Sequence, residues 1–319
     1  MIKSEQIVLV TGAAGFIGSN LVRCLLDMGC TVRGLDNLST GKYGNLSDLL
    51  PNSRFTFTEG DICHKDTCLE SCKNVSFVLH QAALGSVAKS MLHPDIYIKN
   101  NIAGFDNILE AAVSHKVKRF VFASSSSVYG DNNDLVKTEP NTGNVLSPYA
   151  ITKRFDEEYA NLFYRIYGIE TIGLRYFNVF GERQNPDSSY AAVIPRFIKA
   201  LIDDQPPIIY GDGEQKRDFT YITNVVQANL LACAAPAEAC GQAYNIACGR
   251  QTSINQLCQM IASAFNKDVS PVYKPEREGD IRNSLADLRN AREKINYRPT
   301  VNIESGLADT IKWYQNNNT

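Results

Sequence analysis

No long apolar run appears anywhere in these 319 residues. Nothing approaches the ~18–20 consecutive apolar residues that a membrane-crossing helix needs. A strong charge of either sign is also missing. The 32 Lys and Arg against 34 Asp and Glu leave a formal net charge of −2, and no basic run stands out. Neither a membrane nor a nucleic acid is therefore expected as partner. The start of the chain lacks a signal peptide's apolar core and cleavage site: Ile7-Val8-Leu9-Val10 runs straight into glycines, so a cytoplasmic location is expected. No Cys-x-x-Cys pair is present. The 9 cysteines are odd in number and suit a reducing compartment rather than a disulfide framework. Cys63-His64, Cys68 and Cys72 are the tightest group, but most of it falls on one helical stretch with thiols at i, i+4. Free thiols in or near a core are the expectation there, and no metal site. Internal repeats and low-complexity linkers are absent too, which favours lobes packed together over tethered domains.

What is present is alternation. Ile7–Thr11, Thr31–Leu35, Arg54–Thr58, Val75–His80 and Arg119–Ala123 have the composition of strands. Between them Phe16–Met28, Ser39–Leu50, Lys65–Cys72 and Asp95–Ser114 carry helical patterns. A helix over Tyr149–Tyr167 and a strand over Glu170–Tyr176 follow. Such βαβ alternation with near-continuous apolar strands predicts an α/β fold, a Rossmann-type doubly wound parallel sheet covered on both faces. After residue 177 the rhythm changes. One short strand, Ile208–Tyr210, lies between Gln205-Pro206-Pro207 and Gly211-Asp212-Gly213, and helices are expected over Thr223–Ala234, Ser253–Phe265 and Asn302–Gln315. Residues 1–177, with about 219–247, are expected to form the dinucleotide-binding domain. Residues 178–319 would mainly form a smaller C-terminal α/β substrate-binding lobe.

Gly12-Ala13-Ala14-Gly15-Phe16-Ile17-Gly18 follows the first strand and opens a helix. Gly12 permits a tight turn, Gly15 lets backbone approach a pyrophosphate, and Gly18 permits close helix–strand packing. The unpaired N–H groups of the helix start, among them those of Phe16 and Ile17, would face the anion. Asp36-Asn37 closes the second strand roughly 20 residues on, where a carboxylate binds adenosine ribose hydroxyls and repels a 2′-phosphate, so NAD is the expected cofactor rather than NADP. Asp61-Ile62 suits the adenine edge. Gln81-Ala82-Ala83, after the fourth strand, puts small residues where backbone must meet cofactor.

Tyr149 and Lys153 stand four apart in a helical pattern, so an ammonium can sit beside a phenol. A tyrosine hydroxyl ordinarily titrates near ~10, and lowering that to the neutral range takes about 4 kcal/mol. A lysine and a cationic nicotinamide together in a partly desolvated cleft can supply it. The same spacing also occurs on solvated helix faces. Ser124-Ser125-Ser126-Ser127-Val128-Tyr129-Gly130 follows the fifth strand, at the rim where doubly wound sheets bind ligands. Its hydroxyls could bond a substrate, or they could form a solvated turn.

Together these motifs resemble the extended short-chain dehydrogenase/reductase family over nearly the whole chain, and within it the UDP-sugar 4-epimerases. Arg175-Tyr176-Phe177-Asn178, Arg217-Asp218 and Arg277-Glu278-Gly279-Asp280 add to the match. The resemblance implies that Ser125, Tyr149 and Lys153 are catalytic, Tyr149 being the base and Lys153 also binding the nicotinamide ribose. Asn100 and Phe177 would line the cofactor site. Asn178, Val193, Arg217 and Arg277 would hold UDP, with Tyr210 and Asp280 nearby. Gly85, Ser86, Ser125, Ser126, Ser127 and Ser284 would surround the sugar. It also implies a homodimer pairing through the helices at 95–114 and 149–167. Related dehydratases carry Thr-Asp-Glu where this chain has Ser125-Ser126-Ser127, so the acid and base for eliminating water are missing and epimerisation is expected. Gln81–Val87 and Arg183-Gln184-Asn185-Pro186 are similar to epimerases that prefer N-acetylated sugars. Ser284, where some relatives have tyrosine, leaves room for an acetamido group. The expected substrates are UDP-N-acetylglucosamine and UDP-N-acetylgalactosamine, with UDP-glucose and UDP-galactose as further candidates. Competing expectations are a UDP-glucuronate 4-epimerase, another NAD-dependent decarboxylase or reductase of nucleotide sugars, and a binding protein without turnover.

Overall fold

A computed structural model describes residues 5–186, 191–276 and 282–317. Its first layer is laid down by βαβ units: β1 (Ile7–Thr11), α1 (Phe16–Asp27), β2 (Thr31–Asp36), β3 (Phe55–Glu59), α2 (Lys65–Cys72) and β4 (Phe77–His80). Short helices α3 (Val87–Leu92) and α4 (Pro94–Tyr97) lead through a π-turn at Ile98–Ala103 into α5 (Gly104–Ser114). Then come β5 (Arg119–Ser125), a 3₁₀ turn at Ser126–Tyr129, α6 (Pro148–Tyr167) and β6 (Glu170–Tyr176). The second half adds β7 (Val179–Phe180), α7 (Val193–Ile202), β8 (Ile208–Tyr210), β9 (Lys216–Asp218), β10 (Thr220–Tyr221), α8 (Ile222–Ala234) and β11 (Gln242–Ile246). It closes with β12 (Gln251–Ser253), α9 (Ile254–Ala264), β13 (Val272–Lys274), α10 (Arg289–Ile295) and α11 (Ile303–Asn317).

Seven strands form one parallel sheet in the order β11-β6-β5-β4-β1-β2-β3. This is the doubly wound α/β arrangement that the alternation predicted. Every residue of β4 is buried, and so is β1 from Val8 to Thr11, because helices cover both faces of the sheet. The chain order reverses between β1 and β4, which opens a crevice beyond their carboxyl ends, the place where such sheets receive ligands. The remaining strands make three two-stranded pairs, β10–β7, β12–β9 and β13–β8. Among the described residues no helix is long and apolar enough to cross a membrane.

Residues 39–50 differ from expectation. The segment is a run of bends and turns with one 3₁₀ turn at Tyr43–Asn45. Two glycines, Gly41 and Gly44, each cost a helix about 1 kcal/mol, and tertiary bonds take over. The N–H of Lys42 donates to the Ala14 carbonyl (3.0 Å), as does the Asn45 amide (2.9 Å). A Cβ on Gly41 would lie 2.9 Å from the Ala14 carbonyl carbon and 3.0 Å from the Asp36 carboxylate. The segment is thus drawn down as a lid on the glycine turn.

Candidate active site

The glycine turn builds one wall of a cleft of about 420 Å³ at the switch point. The N–H of Gly15 donates to the Gly12 carbonyl (3.0 Å), and Gly12 takes a positive φ of 65° against the backbone of Gln81 and Ala82. α1 starts at Gly15 with no side-chain cap and no acidic residue in its first turn. Its opening N–H groups therefore face the cleft without a built-in anion, a fit for a pyrophosphate.

Asp36 spends part of its carboxylate on the protein. Its Oδ2 accepts from Ala14 N (2.9 Å) and its Oδ1 from Leu38 N (2.8 Å). Burial pushes its carboxyl above the ordinary value, and those N–H groups oppose the rise. The lone pairs left over face the cleft, beside Ser39 and Thr40, two hydroxyl residues that sequence reasoning missed although they directly follow Asp36-Asn37-Leu38.

The cleft brings together most of the sequence-selected cofactor residues. Gly12, Gly15, Phe16, Ile17, Gly18, Asp36, Asn37, Ile62, Gln81, Ala82, Ala83, Asn100, Tyr149 and Lys153 all line it. Asp61 and Phe177 do not. Asp61, between the lining residues Gly60 and Ile62, accepts from Asn37 Nδ2 (3.0 Å) and Cys63 N (2.8 Å). Burial works against its charge, but those donors outweigh it and hold the carboxyl below its usual range. Its part is to orient Asn37. Phe177 is fully buried beside Tyr129, while Tyr176 supplies the wall. The Gln81 amide is occupied as well, donating to Asn229 Oδ1 (3.1 Å) and accepting from Tyr176 OH (3.2 Å). These bonds fix the Gln81 side chain and leave it one N–H and one lone pair.

The opposite wall carries the proposed chemistry. Ser125 is the last residue of β5, and its Oγ accepts from Ser127 N at 3.1 Å. α6 begins at the Ser147 cap, with Pro148 opening its first turn and Tyr149 following at once. The backbone N–H of Tyr149 donates to Ser90 Oγ (3.1 Å), and its ring meets Tyr97 edge-on. One turn on, Lys153 is almost wholly buried yet borders the cleft, its Nζ 3.0 Å from Asp156 Oδ2. His80 packs against Phe105 and Phe120 behind this wall. Burial first, then the field of Lys153, lowers its pKa to about 3, so it stays neutral. The π-turn places Asn100 on the cleft, while its neighbour Asn101 locks the turn by bonding Leu84 and Thr152.

A buried network behind the serine turn was not visible in the sequence. Arg175 grips Glu157 with two bonds of 2.8 Å, and Ser124 Oγ donates to the same carboxylate. Arg175 also donates to Tyr129 OH (3.0 Å), which in turn donates to Asn245 Oδ1 (2.6 Å). Asn245 reaches the carbonyls of Lys137 (2.9 Å) and Asp287 (3.1 Å). The network fixes the serine turn to both lobes.

Of the sequence-selected sugar and UDP residues, Gly85, Ser125 and Asn178 line the same cleft. Ser86 caps α3 by accepting from Lys89 N (3.2 Å). Ser126 and Ser127 continue the 3₁₀ turn, and the buried Ser127 Oγ has no partner among the described residues. Val193 opens α7, and Tyr210 ends β8 under the Arg196 guanidinium (5.7 Å). Ser284 donates its N–H to the Lys216 carbonyl (3.1 Å), which seats it beside the β9 strand that carries Arg217. The adjacent Asp218 ties that region together, accepting from the N–H groups of Cys248 (2.9 Å) and Gly249 (3.0 Å). Burial pushes its pKa up to about 6. Arg277 and Asp280 lie outside the described residues.

A glycine turn at the switch point, a ribose-type carboxylate and a Tyr–Lys pair on one cleft have counterparts in known proteins. Residues 8–247 match the model of the NAD-dependent epimerase/dehydratase family. The chain belongs to that family. NAD is its cofactor, and the uncapped helix start, the glycine approach and Asp36 fit that dinucleotide. Similar solved structures run the length of the chain. A UDP-N-acetylglucosamine 4-epimerase from Methanobrevibacter ruminantium, in complex with UDP-N-acetylmuramic acid, is 39% identical. It covers 98% of this chain and 99% of its own, with a TM-score of 0.93. A UDP-glucose 4-epimerase from Thermotoga maritima with UDP-glucose is 37% identical over 98% of this chain and 100% of that one, TM-score 0.92. A UDP-glucuronic acid 4-epimerase variant from Bacillus cereus, with a fluorinated UDP-sugar and NAD, is 33% identical over 98% and 99%, TM-score 0.89.

Proposed function

We propose that the chain is an NAD-dependent 4-epimerase of UDP-sugars, interconverting UDP-N-acetylglucosamine and UDP-N-acetylgalactosamine and also accepting UDP-glucose and UDP-galactose. The observation that carries the reaction type is the hydroxyl-only turn Ser125-Ser126-Ser127, whose first residue lines the cleft together with Tyr149 and Lys153. Redox at a carbinol carbon needs a base and a hydroxyl there. Elimination of water would need an added acid and base that this turn lacks.

Held by the Gly12–Gly18 turn and Asp36, NAD would supply a hydride acceptor and donor at C4. The chain's own residues do the rest. Tyr149, as phenolate, takes the proton from the sugar 4-hydroxyl, with the Lys153 ammonium supporting its charge. Ser125 Oγ already accepts from Ser127 N, so its own O–H remains to donate to the sugar oxygen as that oxygen becomes a carbonyl. Asn178, Val193, Arg217 and Arg277 hold the UDP, the arginines matching its phosphates. Inversion would require the keto sugar to present its other face within the cleft. Anchored diphosphate and a loosely held sugar are therefore both required.

The acetamido preference rests on the small Ser284 and on the 39% identity to an N-acetylglucosamine epimerase. Incubating the protein with UDP-GlcNAc, UDP-Glc or UDP-GlcA, without reductant, and resolving C4 and anomeric protons by NMR tests it. UDP-GalNAc should form fastest. Turnover of UDP-GlcA alone would keep the epimerase assignment and overturn the substrate; carbon dioxide from that tube would mean a decarboxylase.

We also propose a homodimer that pairs α6 and the α4–π-turn–α5 helix across a two-fold axis. Ile96, Ile98, Ile151, Leu162, Ile166 and Tyr167 are exposed on these helices, more apolar surface than a solvated face needs. Ile166→Glu combined with Leu162→Glu should halve the mass in analytical ultracentrifugation. A wild type that already sediments as one chain at micromolar concentration ends the dimer proposal.

A further inference from the structure

Asp156 is a carboxylate in an unusual place. It lies on α6 three residues beyond Lys153 and is completely buried. Its Oδ2 sits 3.0 Å from the Lys153 ammonium, and its buried Oδ1 has no hydrogen-bond partner among the described residues. A carboxylate held so far from water is costly unless a charge nearby needs it. The charge is Lys153, also buried and bordering the cleft.

We propose that Asp156 is a charge-balancing positioning residue: it holds the Lys153 ammonium at the cleft wall as a net-neutral pair, so that the site does not penalise the cationic oxidised nicotinamide against its neutral reduced form. This rests on the cofactor and Tyr–Lys roles proposed above. With Lys153 uncompensated, a positive charge would face a positively charged ring, and hydride uptake by that ring would be favoured at the expense of giving the hydride back. A bound cofactor that must do both in every cycle works best when neither form is strongly preferred.

Burial drives the Asp156 carboxyl up to about 7 despite the opposing pull of Lys153. The pair should therefore change its charge within the working pH range: neutral overall above about 7, cationic below it. Of the other groups around it, Tyr149, one turn back on α6 and on the same cleft, is the one whose charge the proposed mechanism also changes. Glu157, the second charge acting on Asp156, is held by Arg175. His80 faces Lys153 from β4 and is neutral far below this range. Arg154 points away to the carbonyls of Val128 and Gly143. Asp106 of α5 is bonded to Tyr159, and Lys89, Asp95 and Lys99 on the neighbouring helix turns are exposed.

Competition between NADH, followed by its fluorescence, and NAD⁺ on the full chain reads the preference directly. For the wild type, the NAD⁺-over-NADH affinity ratio should rise at least about threefold from pH 6 to pH 8.5, the size expected for one unit charge several ångströms away in a partly solvated cleft. Asp156→Asn should remove the pair's share of that rise, whereas Tyr149→Phe, which takes out the tyrosine's own charge change, should keep it. A wild-type ratio constant across this range overturns the proposal, and so does a D156N ratio equal to wild type at pH 8.5. If D156N does not accumulate as folded protein, the Tyr149→Phe pH series decides alone. The ratio needs no turnover, so the two proposals fail separately. A shift with no epimerisation of any UDP-sugar overturns the activity and supports the charge balance; epimerisation with no shift does the reverse.

Discussion

Replacing Tyr149 with Phe is expected to lower kcat for UDP-sugar epimerisation by about 10²–10⁴, the range for removing a positioned general base, while NAD stays bound. The structure separates the two effects. The backbone of Tyr149 is held by Ser90 Oγ and by the Ser147–Pro148 start of α6, and its ring is held by Tyr97. Phenylalanine keeps each of these, so only the hydroxyl is lost. The dinucleotide wall at Gly12–Gly18 and Asp36 lies on other elements and should be untouched. Cofactor content measured after release, beside kcat from the NMR assay, checks both halves. Undiminished turnover would show that another group takes the proton. Loss of bound NAD together with turnover would show that the tyrosine is needed to build the site rather than to run it.

The sequence disclosed the cofactor half of the site better than the substrate half, and the reason is distance along the chain. The glycine turn, Asp36 and the Tyr149/Lys153 pair each work within a few residues, so spacing alone brings their groups together. Strands were equally legible: Ile7–Thr11 and Glu170–Tyr176 of the covered sheet, and the short, half-buried Ile208–Tyr210, have the bounds expected of them. Failures came where a remote group decides. Residues 39–50 carry a helical pattern, but the Ala14 carbonyl, far away in sequence, captures Lys42 and Asn45. The strand β6 shows how fine the margin is. Alternate residues face opposite sides, so Tyr176 borders the cleft and Phe177 turns into the core. α7 did have a signal, since Ile194, Phe197, Ile198 and Leu201 repeat at helical spacing and all are buried. Pro195 falls in its first turn, where no N–H is needed, and so does not break it. The Glu157–Arg175–Tyr129–Asn245 network had no local signature at all. Its members come from α6, β6, the serine turn and β11, and only the sheet order makes them neighbours.

Two alanines in the glycine turn should fail in different ways, and the difference tests what each glycine does. A Cβ on Gly18 would lie 2.0 Å from the Gly12 carbonyl oxygen and 2.7 Å from its carbon. Both atoms are backbone in the tightest part of the turn, so neither can step aside without moving α1 off the sheet. Gly18→Ala should therefore cost about 3 kcal/mol or more of stability, the upper range for overpacking a close-packed site, and NAD binding should go with it. Gly15 is different. A Cβ there would meet only the Gly12 oxygen, at 3.1 Å, with nothing else within 4 Å. Gly15→Ala should leave the melting temperature within a few degrees of wild type, yet place a methyl group where a pyrophosphate must approach the start of α1. Its NAD affinity should fall at least about tenfold, since each 1.4 kcal/mol of lost contact is one decade. Thermal melts with calorimetric NAD titrations on both variants separate packing from ligand approach. A Gly15→Ala protein that binds NAD as well as wild type would remove the phosphate from this turn and, with it, the first support of the cofactor assignment.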